Sequence, residues 1–385
     1  MIYLDNSATT PVRPEVREYI YKLMGEDFGN PSALYDLGIR SEKVLTKSRK
    51  TLAKILGCRD DEIYFTASGS EANNLAIKGI TAAYAKRGRH IITTAVEHPS
   101  VLRAVEFLSK NGWEVTYLPV DTEGNISLEL LARALRKDTV LVAMMMVNNE
   151  VGTIFPIVSA AKLVKEKVPD CHFHVDGVQA FGRLPIDLSE LKADTLSLSG
   201  HKIGAPKGIG AIYVKKGLRL EPLIHGGGQE NGMRAGTENF YYVGALALAG
   251  EISVKDRERK NQYLKTVKLA LLEALKDEGV EYRINGDSGE GSVPYILNLE
   301  FPGVTGEVLL HYLEEQGIYV SQGSACHSRT KGSSETLMAM GRNDEERNSA
   351  LRFSFNDETK AEDMTVVAKA VKAGADMIRE MRGGK

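Results

Sequence analysis

Two reactive side chains in this sequence, a thiol and an amine, could act together in sulfur chemistry on an amino acid. The thiol is Cys326, which lies near Gly323 and Ser324 in a polar stretch unsuited to a buried core. The amine is Lys202, which follows the strand-like run 195–199 and would be presented to a crevice at the strand end. A thiolate nucleophile and an amine that can form an imine indicate sulfur chemistry on an amino-acid imine.

Two other segments have residue types suited to binding a ligand that carries an anionic group. Asp176 ends the run 171–175, so its carboxylate should lie at the carboxyl edge of a sheet, where α/β proteins bind ligands. The segment 68–71 separates a strand-like run from a helical run that starts near Ala72, and backbone amides at a helix N-terminus can bind a phosphate. Taken alone, these residues are equally typical of a turn and a helix cap. A lone lysine is usually a solvated charge, and a lone cysteine is usually a small buried side chain.

The elements that must position these groups can be read from the apolar pattern. Seven short β-rich runs alternate with longer amphipathic runs, at 63–66, 90–93, 115–118, 140–147, 172–175, 195–199 and 210–214. This alternation predicts an α/β fold, and the run 140–147, apolar at both odd and even positions, predicts a mostly parallel sheet covered on both faces. A helical pattern over 243–278, a strand-like run at 294–299 and a final helix after Glu362 predict a second, smaller domain.

The length and composition limit the class of protein. At 385 residues the chain exceeds the usual size of one core, so two unequal domains are expected. Lys plus Arg (49) nearly balance Asp plus Glu (51), which gives no electrostatic reason for nucleic acid or an anionic membrane as the main partner.

No run approaches about 18 apolar residues and no export signal opens the chain, so a cytoplasmic location is expected. Cys58, Cys171 and Cys326 are too widely spaced for a disulfide framework or a paired-cysteine zinc site, and no metal site is predicted.

Six motifs, in order along the chain, resemble those of the pyridoxal phosphate (PLP) cysteine desulfurases of the NifS and IscS type, in the class V aminotransferase superfamily. They are Tyr3-Leu4-Asp5-Asn6-Ser7-Ala8-Thr9-Thr10, Val147-Asn148-Asn149-Glu150-Val151-Gly152, His174-Val175-Asp176, Ser199-Gly200-His201-Lys202, His225-Gly226-Gly227-Gly228 and the segment 320–328 around Cys326. The likeness runs from about residue 2 to about residue 375. It implies the PLP-dependent transferase fold type I, with a large PLP-binding domain over 15–257. Residues 1–14 and 258–385 would form a small α+β domain that carries the cysteine loop.

The resemblance assigns the cofactor contacts residue by residue. Lys202 would form the Schiff base, Asp176 would face the pyridine nitrogen, and His98 would stack on the ring and is the candidate for moving protons. The remaining contacts would be Gln179 and Asn149 to the phenolic oxygen, and Gly69, Ser70, Ser199 and His201 to the phosphate, with Thr237 reaching the phosphate of the partner in a homodimer. Without the resemblance, a histidine after a strand would be taken for a capping or surface residue.

The resemblance also assigns the substrate contacts and the reaction. Arg352, with Asn149, would bind L-cysteine through its α-carboxylate. Cys326 would attack the substrate sulfur, which leaves a persulfide on the protein and releases L-alanine. His327 stands next to this cysteine where relatives commonly have Thr or Ser. The sulfur would then pass to an acceptor protein, either an iron–sulfur scaffold or a tRNA-thiolating enzyme.

Three alternatives remain open at this stage. A selenocysteine lyase would use the same residues on the selenium analogue of the substrate. Another class V aminotransferase would need the cofactor set but no thiol, which Cys326 disfavours. A non-catalytic scaffold or regulator that binds PLP is disfavoured because Lys202, Asp176, His98 and Cys326 are all retained.

Overall fold

The computed structural model describes residues 1–323 and 334–383, so Cys326 and His327 lie outside the described part of the chain. The strands in these ranges are β1 (Ile2–Tyr3), β2 (Ile63–Thr66), β3 (His90–Thr94), β4 (Glu114–Leu118), β5 (Thr139–Met145), β6 (His172–Asp176), β7 (Thr195–Ser199), β8 (Gly210–Val214), β9 (Arg283–Asn285), β10 (Ile296–Glu300), β11 (Ile318–Tyr319) and β12 (Ala350–Ser354). The helices are α1 (Pro14–Glu26), α2 (Asp36–Leu56), α3 (Gly69–Tyr84), α4 (Pro99–Lys110), α5 (Leu128–Ala134), α6 (Ile157–Lys167), α7 (Leu188–Leu191), α8 (Phe240–Val254), α9 (Arg257–Asp277), α10 (Gly306–Glu315), α11 (Glu335–Ala339), α12 (Asp344–Asn348) and α13 (Met364–Gly383).

A seven-stranded sheet forms the centre of the larger part of the molecule. Its strand order is β2-β8-β7-β6-β5-β3-β4; β8 is antiparallel to both of its neighbours, and the other pairs are parallel. Every residue of β5 and β7 is buried, as expected for strands covered on both faces by helices. The predicted α/β class with a mostly parallel sheet is confirmed, and all seven predicted strands belong to this sheet.

The strand order decides where a ligand can bind. The chain places β4 on one side of β3 and then adds β5, β6 and β7 on the other side, so the direction of winding reverses at β3. In open α/β sheets, the crevice outside the carboxyl ends of the strands at such a reversal is the usual ligand site. The loops that follow β2, β3, β5, β6 and β7 all leave the sheet from this edge.

A smaller antiparallel sheet of order β12-β10-β9 lies in the C-terminal part of the chain. Helix α13 packs against both α9 and α10 beside it. The N-terminal arm joins this part, because β1 pairs in parallel with β11 and Asp5 forms a bridge with Ser354. The smaller α+β part of the fold is thus present, whereas the domain limits at residues 14 and 257 stay a prediction.

The helical pattern over 243–278 is two helices rather than one. Between the end of α8 and the start of α9, Asp256 has a φ of 53°, a left-handed conformation that aspartate tolerates better than most residues. The break lets α8 pack on α1 and α2 while α9 packs on α13.

No helix within residues 1–323 and 334–383 is long and apolar enough to cross a membrane.

Candidate active site

A cavity of about 160 Å³ opens at the carboxyl edge of the central sheet. Its lining includes ten residues that the sequence predicts for the site, namely Gly69, Ser70, His98, Asn149, Asp176, Gln179, Ser199, His201, Lys202 and Arg352. Nine of these lie at or after the ends of five strands of the central sheet, and Arg352 comes from the smaller sheet. The fold therefore brings together side chains that are far apart in the sequence.

Lys202 ends the short 3₁₀ turn Gly200–Lys202 that follows β7. Its Nζ donates hydrogen bonds to the backbone oxygens of Ser7 and Ala8, the second at 2.9 Å. Both oxygens belong to the N-terminal arm. The arm and the end of β7 together fix the position of the amine in the cavity.

The same arm also holds Gln179. The Gln179 Nε2 group donates to the backbone oxygen of Ser7 at 3.1 Å. Its Oε1 atom is buried and has no hydrogen-bond partner within residues 1–323 and 334–383. A buried acceptor in this state is costly unless a bound molecule supplies the donor.

Asp176, the last residue of β6, is buried at the floor of the same edge. Its Oδ2 accepts a hydrogen bond from Asn73 Nδ2 at 2.7 Å, and its Oδ1 accepts one from the backbone N–H of Val178 at 3.0 Å. The other end of the Asn73 amide, Oδ1, lies 2.9 Å from His174 Nε2. Burial lowers the pKa of His174 to about 4, so this ring is neutral. Uncharged groups therefore orient the Asp176 carboxylate.

His98 has two roles in the structure. It is the N-cap of α4, where its Nδ1 accepts a hydrogen bond from the backbone N–H of Ser100 at 3.1 Å. The Ser100 hydroxyl oxygen lies 2.8 Å from the same nitrogen. Since His98 also lines the cavity, the capping role expected of an isolated histidine and a role in the site are compatible.

The N-terminus of α3 forms one end of the cavity. The Ser68 side chain caps this helix by accepting a hydrogen bond from the backbone N–H of Glu71 at 3.1 Å. A Cβ atom at Gly69 would lie 2.7 Å from Val178 Cγ2, so the close approach of the two loops requires glycine here. The positive end of the helix dipole makes this end of the cavity suited to an anionic group.

Ser199 and His201 complete this end. The Ser199 Cβ atom would lie 3.2 Å from a Cβ at Gly69, and His201 Nδ1 lies 3.2 Å from the Thr9 hydroxyl. Burial, together with the nearby Lys202 ammonium group, lowers the pKa of His201 to about 3, so its ring is neutral at physiological pH. His201 can hydrogen-bond an anion but adds no positive charge.

Arg352 reaches the cavity from β12 and is only 1% exposed. Its Nη1 donates to the backbone oxygen of Asn149 at 2.9 Å, and its Nη2 donates to Asp5 Oδ1 at 2.7 Å. Its Nε has no partner within the described ranges. The guanidinium is therefore fixed in place before any substrate arrives, which favours two-point binding of a carboxylate.

Two predicted site residues are not among those that line the cavity. Thr237 is exposed on the segment that precedes α8, and Cys326 lies outside the described residues. Of the other two cysteines, Cys171 is buried and Cys58 is half-buried, and burial raises the pKa of each thiol to about 12. Both fit the small buried role that is usual for a lone cysteine.

Comparison with known proteins identifies the family. The family described as aminotransferase class-V matches residues 2–367. The chain belongs to the aminotransferase class-V family. A cysteine desulfurase IscS of Clostridium botulinum is 41% identical over 381 residues, which cover 99% of this chain and 96% of that protein. The predicted likeness to the NifS and IscS group is confirmed.

Solved structures of this group have the same fold. A NifS-like protein superposes with a TM-score of 0.89 at 35% sequence identity, over 100% of both chains. SspA in complex with cysteine superposes with a TM-score of 0.83 at 34% identity, over 94% of this chain and 100% of that one.

Asn73 and Ser100 also line the cavity but were not among the site residues predicted from the sequence. Asn73 lies four residues after Gly69 on α3, so the helical period places it on the cavity side of the helix. Ser100 lies two residues after the N-cap His98, where a backbone N–H needs a side-chain acceptor. These two spacings are the signals that could have found them.

Proposed function

We propose that this protein is a PLP-dependent cysteine desulfurase that converts L-cysteine to L-alanine and holds the sulfur as a persulfide on Cys326. The observation that carries the proposal is the meeting of Lys202, Asp176 and Arg352, an amine, a carboxylate and a guanidinium, around one cavity. The names of the relatives favour the same activity, and the SspA structure is a complex with cysteine.

The cavity has a group that fits each part of PLP. Lys202 would bind the aldehyde carbon, Asp176 would pair with the ring nitrogen, and the N-terminus of α3 would hold the phosphate. The Gln179 Oε1 atom, which has no partner among the described residues, is the kind of buried polar atom that a bound cofactor would satisfy. When bound, the cofactor withdraws electrons from the α-carbon of the amino acid and so weakens the bonds at that carbon.

The side chains of the protein would position the substrate and move its protons. Arg352 would bind the α-carboxylate through two parallel hydrogen bonds. Lys202, once the substrate amine has replaced it, would take the proton from the α-carbon of the substrate and pass it on to another carbon atom. Asp176 would hold its negative charge at the ring nitrogen, supported by Asn73.

The sulfur step would depend on Cys326. Its thiolate attacks the substrate sulfur, and a sulfur–sulfur bond forms as the carbon–sulfur bond of the substrate breaks. The electron pair of the broken bond passes to the β-carbon, which takes up a proton, and L-alanine leaves. Attack needs the thiolate, and a free cysteine has a pKa near 8.5, so a base must take the thiol proton first.

Incubation of the purified, PLP-loaded protein with L-cysteine tests the proposal. The first turnover should give equal amounts of L-alanine and protein-bound persulfide, measured by amino-acid analysis and by mass spectrometry of the Cys326 peptide. A keto acid in place of alanine would favour an aminotransferase. Turnover of L-selenocysteine without turnover of L-cysteine would favour the lyase.

Replacing Arg352 with lysine should raise the KM for L-cysteine about 10- to 100-fold with a smaller change in kcat, because the ammonium group makes one contact where the guanidinium makes two. Steady-state kinetics measures both constants. Arg283→Lys is the matched control, since Arg283 lies on β9 of the same sheet with a side chain that is 59% exposed. An unchanged KM in Arg352→Lys would exclude carboxylate binding by this residue.

We further propose that the active unit is a homodimer. Large apolar side chains are exposed between residues 28 and 35, among them Leu34, which is 94% exposed. This segment lies beside residues 228–238, since both line one surface groove, and Thr237 belongs to the second segment. An exposed apolar patch next to a residue expected to serve another subunit favours a two-fold interface there.

The wild-type protein should therefore sediment as a dimer, and Leu34→Asp should shift it toward the monomer, because a carboxylate would be buried in the interface. Analytical ultracentrifugation reads the change directly. Val366→Asp is the control, since Val366 is also exposed but lies on α13. A fully active wild-type monomer would exclude the shared site.

The fate of the sulfur stays a prediction from the family resemblance. We expect transfer from Cys326 to an acceptor protein in the cytoplasm, either an iron–sulfur scaffold or a tRNA-thiolating enzyme. Incubation of the persulfide form with each purified acceptor, followed by mass spectrometry of both proteins, distinguishes the two.

A further inference from the structure

One nitrogen of the His98 ring, Nδ1, is hydrogen-bonded to the first turn of α4. The backbone N–H of Ser100 donates to His98 Nδ1 at 3.1 Å, and the Ser100 hydroxyl oxygen lies 2.8 Å from the same atom. A backbone N–H cannot accept a hydrogen bond, so Nδ1 must carry a lone pair. A neutral imidazole with a bare Nδ1 has its proton on Nε2.

The network behind Ser100 leads to the same tautomer. The carboxylate of Asp176 can only accept, which fixes the Asn73 atom 2.7 Å away as the amide nitrogen. This nitrogen also donates to the Ser100 oxygen at 2.8 Å. Because the oxygen of Ser100 is occupied as an acceptor, its own proton can be donated to His98 Nδ1. The hydroxyl and the backbone N–H of Ser100 therefore both favour a bare Nδ1.

We propose that Ser100 and Asn73 are positioning residues that hold neutral His98 as the Nε2–H tautomer, so that His98 meets the cavity as a hydrogen-bond donor and not as a base. This inference rests on the proposed function and refines it. In this state the ring can donate a hydrogen bond to an oxygen of the bound cofactor or substrate. It cannot take the proton of the substrate thiol at Nε2, so that proton must go to another group.

Several charged or titratable groups on other elements share the cavity with His98. Those that line the same cavity are Asp176 on β6, His201 and Lys202 after β7, and Arg352 on β12. Its neighbour Glu97 is fully buried, and burial raises the pKa of that carboxyl to about 8. The groups that set the tautomer, Ser100 and Asn73, carry no charge and do not titrate. The same tautomer is therefore expected at every pH at which His98 is neutral.

Nitrogen-15 NMR of protein labelled in its histidine rings reads the tautomer, both with and without PLP. The sequence has eight histidines, and the signals lost in His98→Gln assign the ring of interest. Neutral His98 should show a bare Nδ1 and a protonated Nε2. A proton on Nδ1 of the neutral ring would overturn the proposal.

Two variants of Ser100 isolate the contribution of its hydroxyl. Ser100→Ala removes one of the two donors to Nδ1, so the ratio of Nε2–H to Nδ1–H should fall about fivefold. Ser100→Thr keeps the hydroxyl and should keep the wild-type ratio. An unchanged ratio in Ser100→Ala would refute a positioning role for the side chain.

A kinetic comparison of two variants shows whether His98 acts as a hydrogen-bond donor or as a base. Glutamine can place an N–H donor near the position of Nε2 but cannot take up a proton, so His98→Gln should retain about tenfold more alanine formation than His98→Ala. Equal losses in the two variants would overturn the donor role. If the wild-type protein formed no alanine at all, the proposed function would fail, while the NMR measurement would still decide the tautomer.

Discussion

Replacing Lys202 with alanine should lower alanine formation from L-cysteine by roughly a thousandfold or more, because under the proposed function the variant loses both the covalent anchor of the cofactor and the amine that moves the α-proton. In the wild-type protein, borohydride reduction after PLP loading should fix a pyridoxyl group on Lys202. Mass spectrometry of the digested protein locates that group. The variant should bind PLP weakly and give no reduced adduct.

Lys207→Ala is the matched control, because Lys207 is an exposed lysine in the same loop. It should keep both the adduct on Lys202 and the wild-type rate. Lys202 also holds the arm through Ser7 and Ala8, so thermal unfolding must be measured beside activity. A pyridoxyl group found reproducibly on another lysine of the wild-type protein would contradict the assignment.

The central sheet, and the places of Asp176 and Lys202 at its edge, could be predicted from local patterns in the sequence, whereas the other predicted residues of the cavity were assigned by the family resemblance. A strand such as β5 is an apolar run with a clear start and end, and its burial on both faces shows in the residue types. Asp176 and Lys202 follow the ends of such runs, and parallel strands bring their carboxyl ends to one edge. The order of elements therefore placed these side chains together.

The contacts that join distant segments could not be predicted in this way. The carbonyls of Ser7 and Ala8 reach Lys202 across almost 200 positions, and nothing in a backbone oxygen marks it in a sequence. The pairing of Arg352 with Asp5 depends on how β12 and the N-terminal arm pack. The helical pattern over 243–278 is broken at Asp256, which has a left-handed backbone conformation. Aspartate is also found inside helical patterns, so the residue type gives no sign of this break.

Cys326→Ser should separate cofactor binding from sulfur transfer. Under the proposed function PLP binds through Lys202, so its binding should survive, and L-cysteine should still change the absorption spectrum of the cofactor. Alanine formation should fall by at least about a hundredfold, because a serine hydroxyl does not ionise near neutral pH as a thiol does. Rapid-quench analysis of alanine and mass spectrometry of persulfide measure the two losses together.

Cys58→Ser is the matched control for the sulfur step, since Cys58 is half-buried and its raised pKa keeps it a thiol. It should turn over L-cysteine at close to the wild-type rate, apart from a small packing cost. The comparison is informative because both variants exchange one sulfur for one oxygen, so only the place of the thiol differs. If Cys326→Ser released alanine at the wild-type rate, the carbon–sulfur bond would be broken without a protein nucleophile, and a lyase that forms no persulfide would be the better assignment.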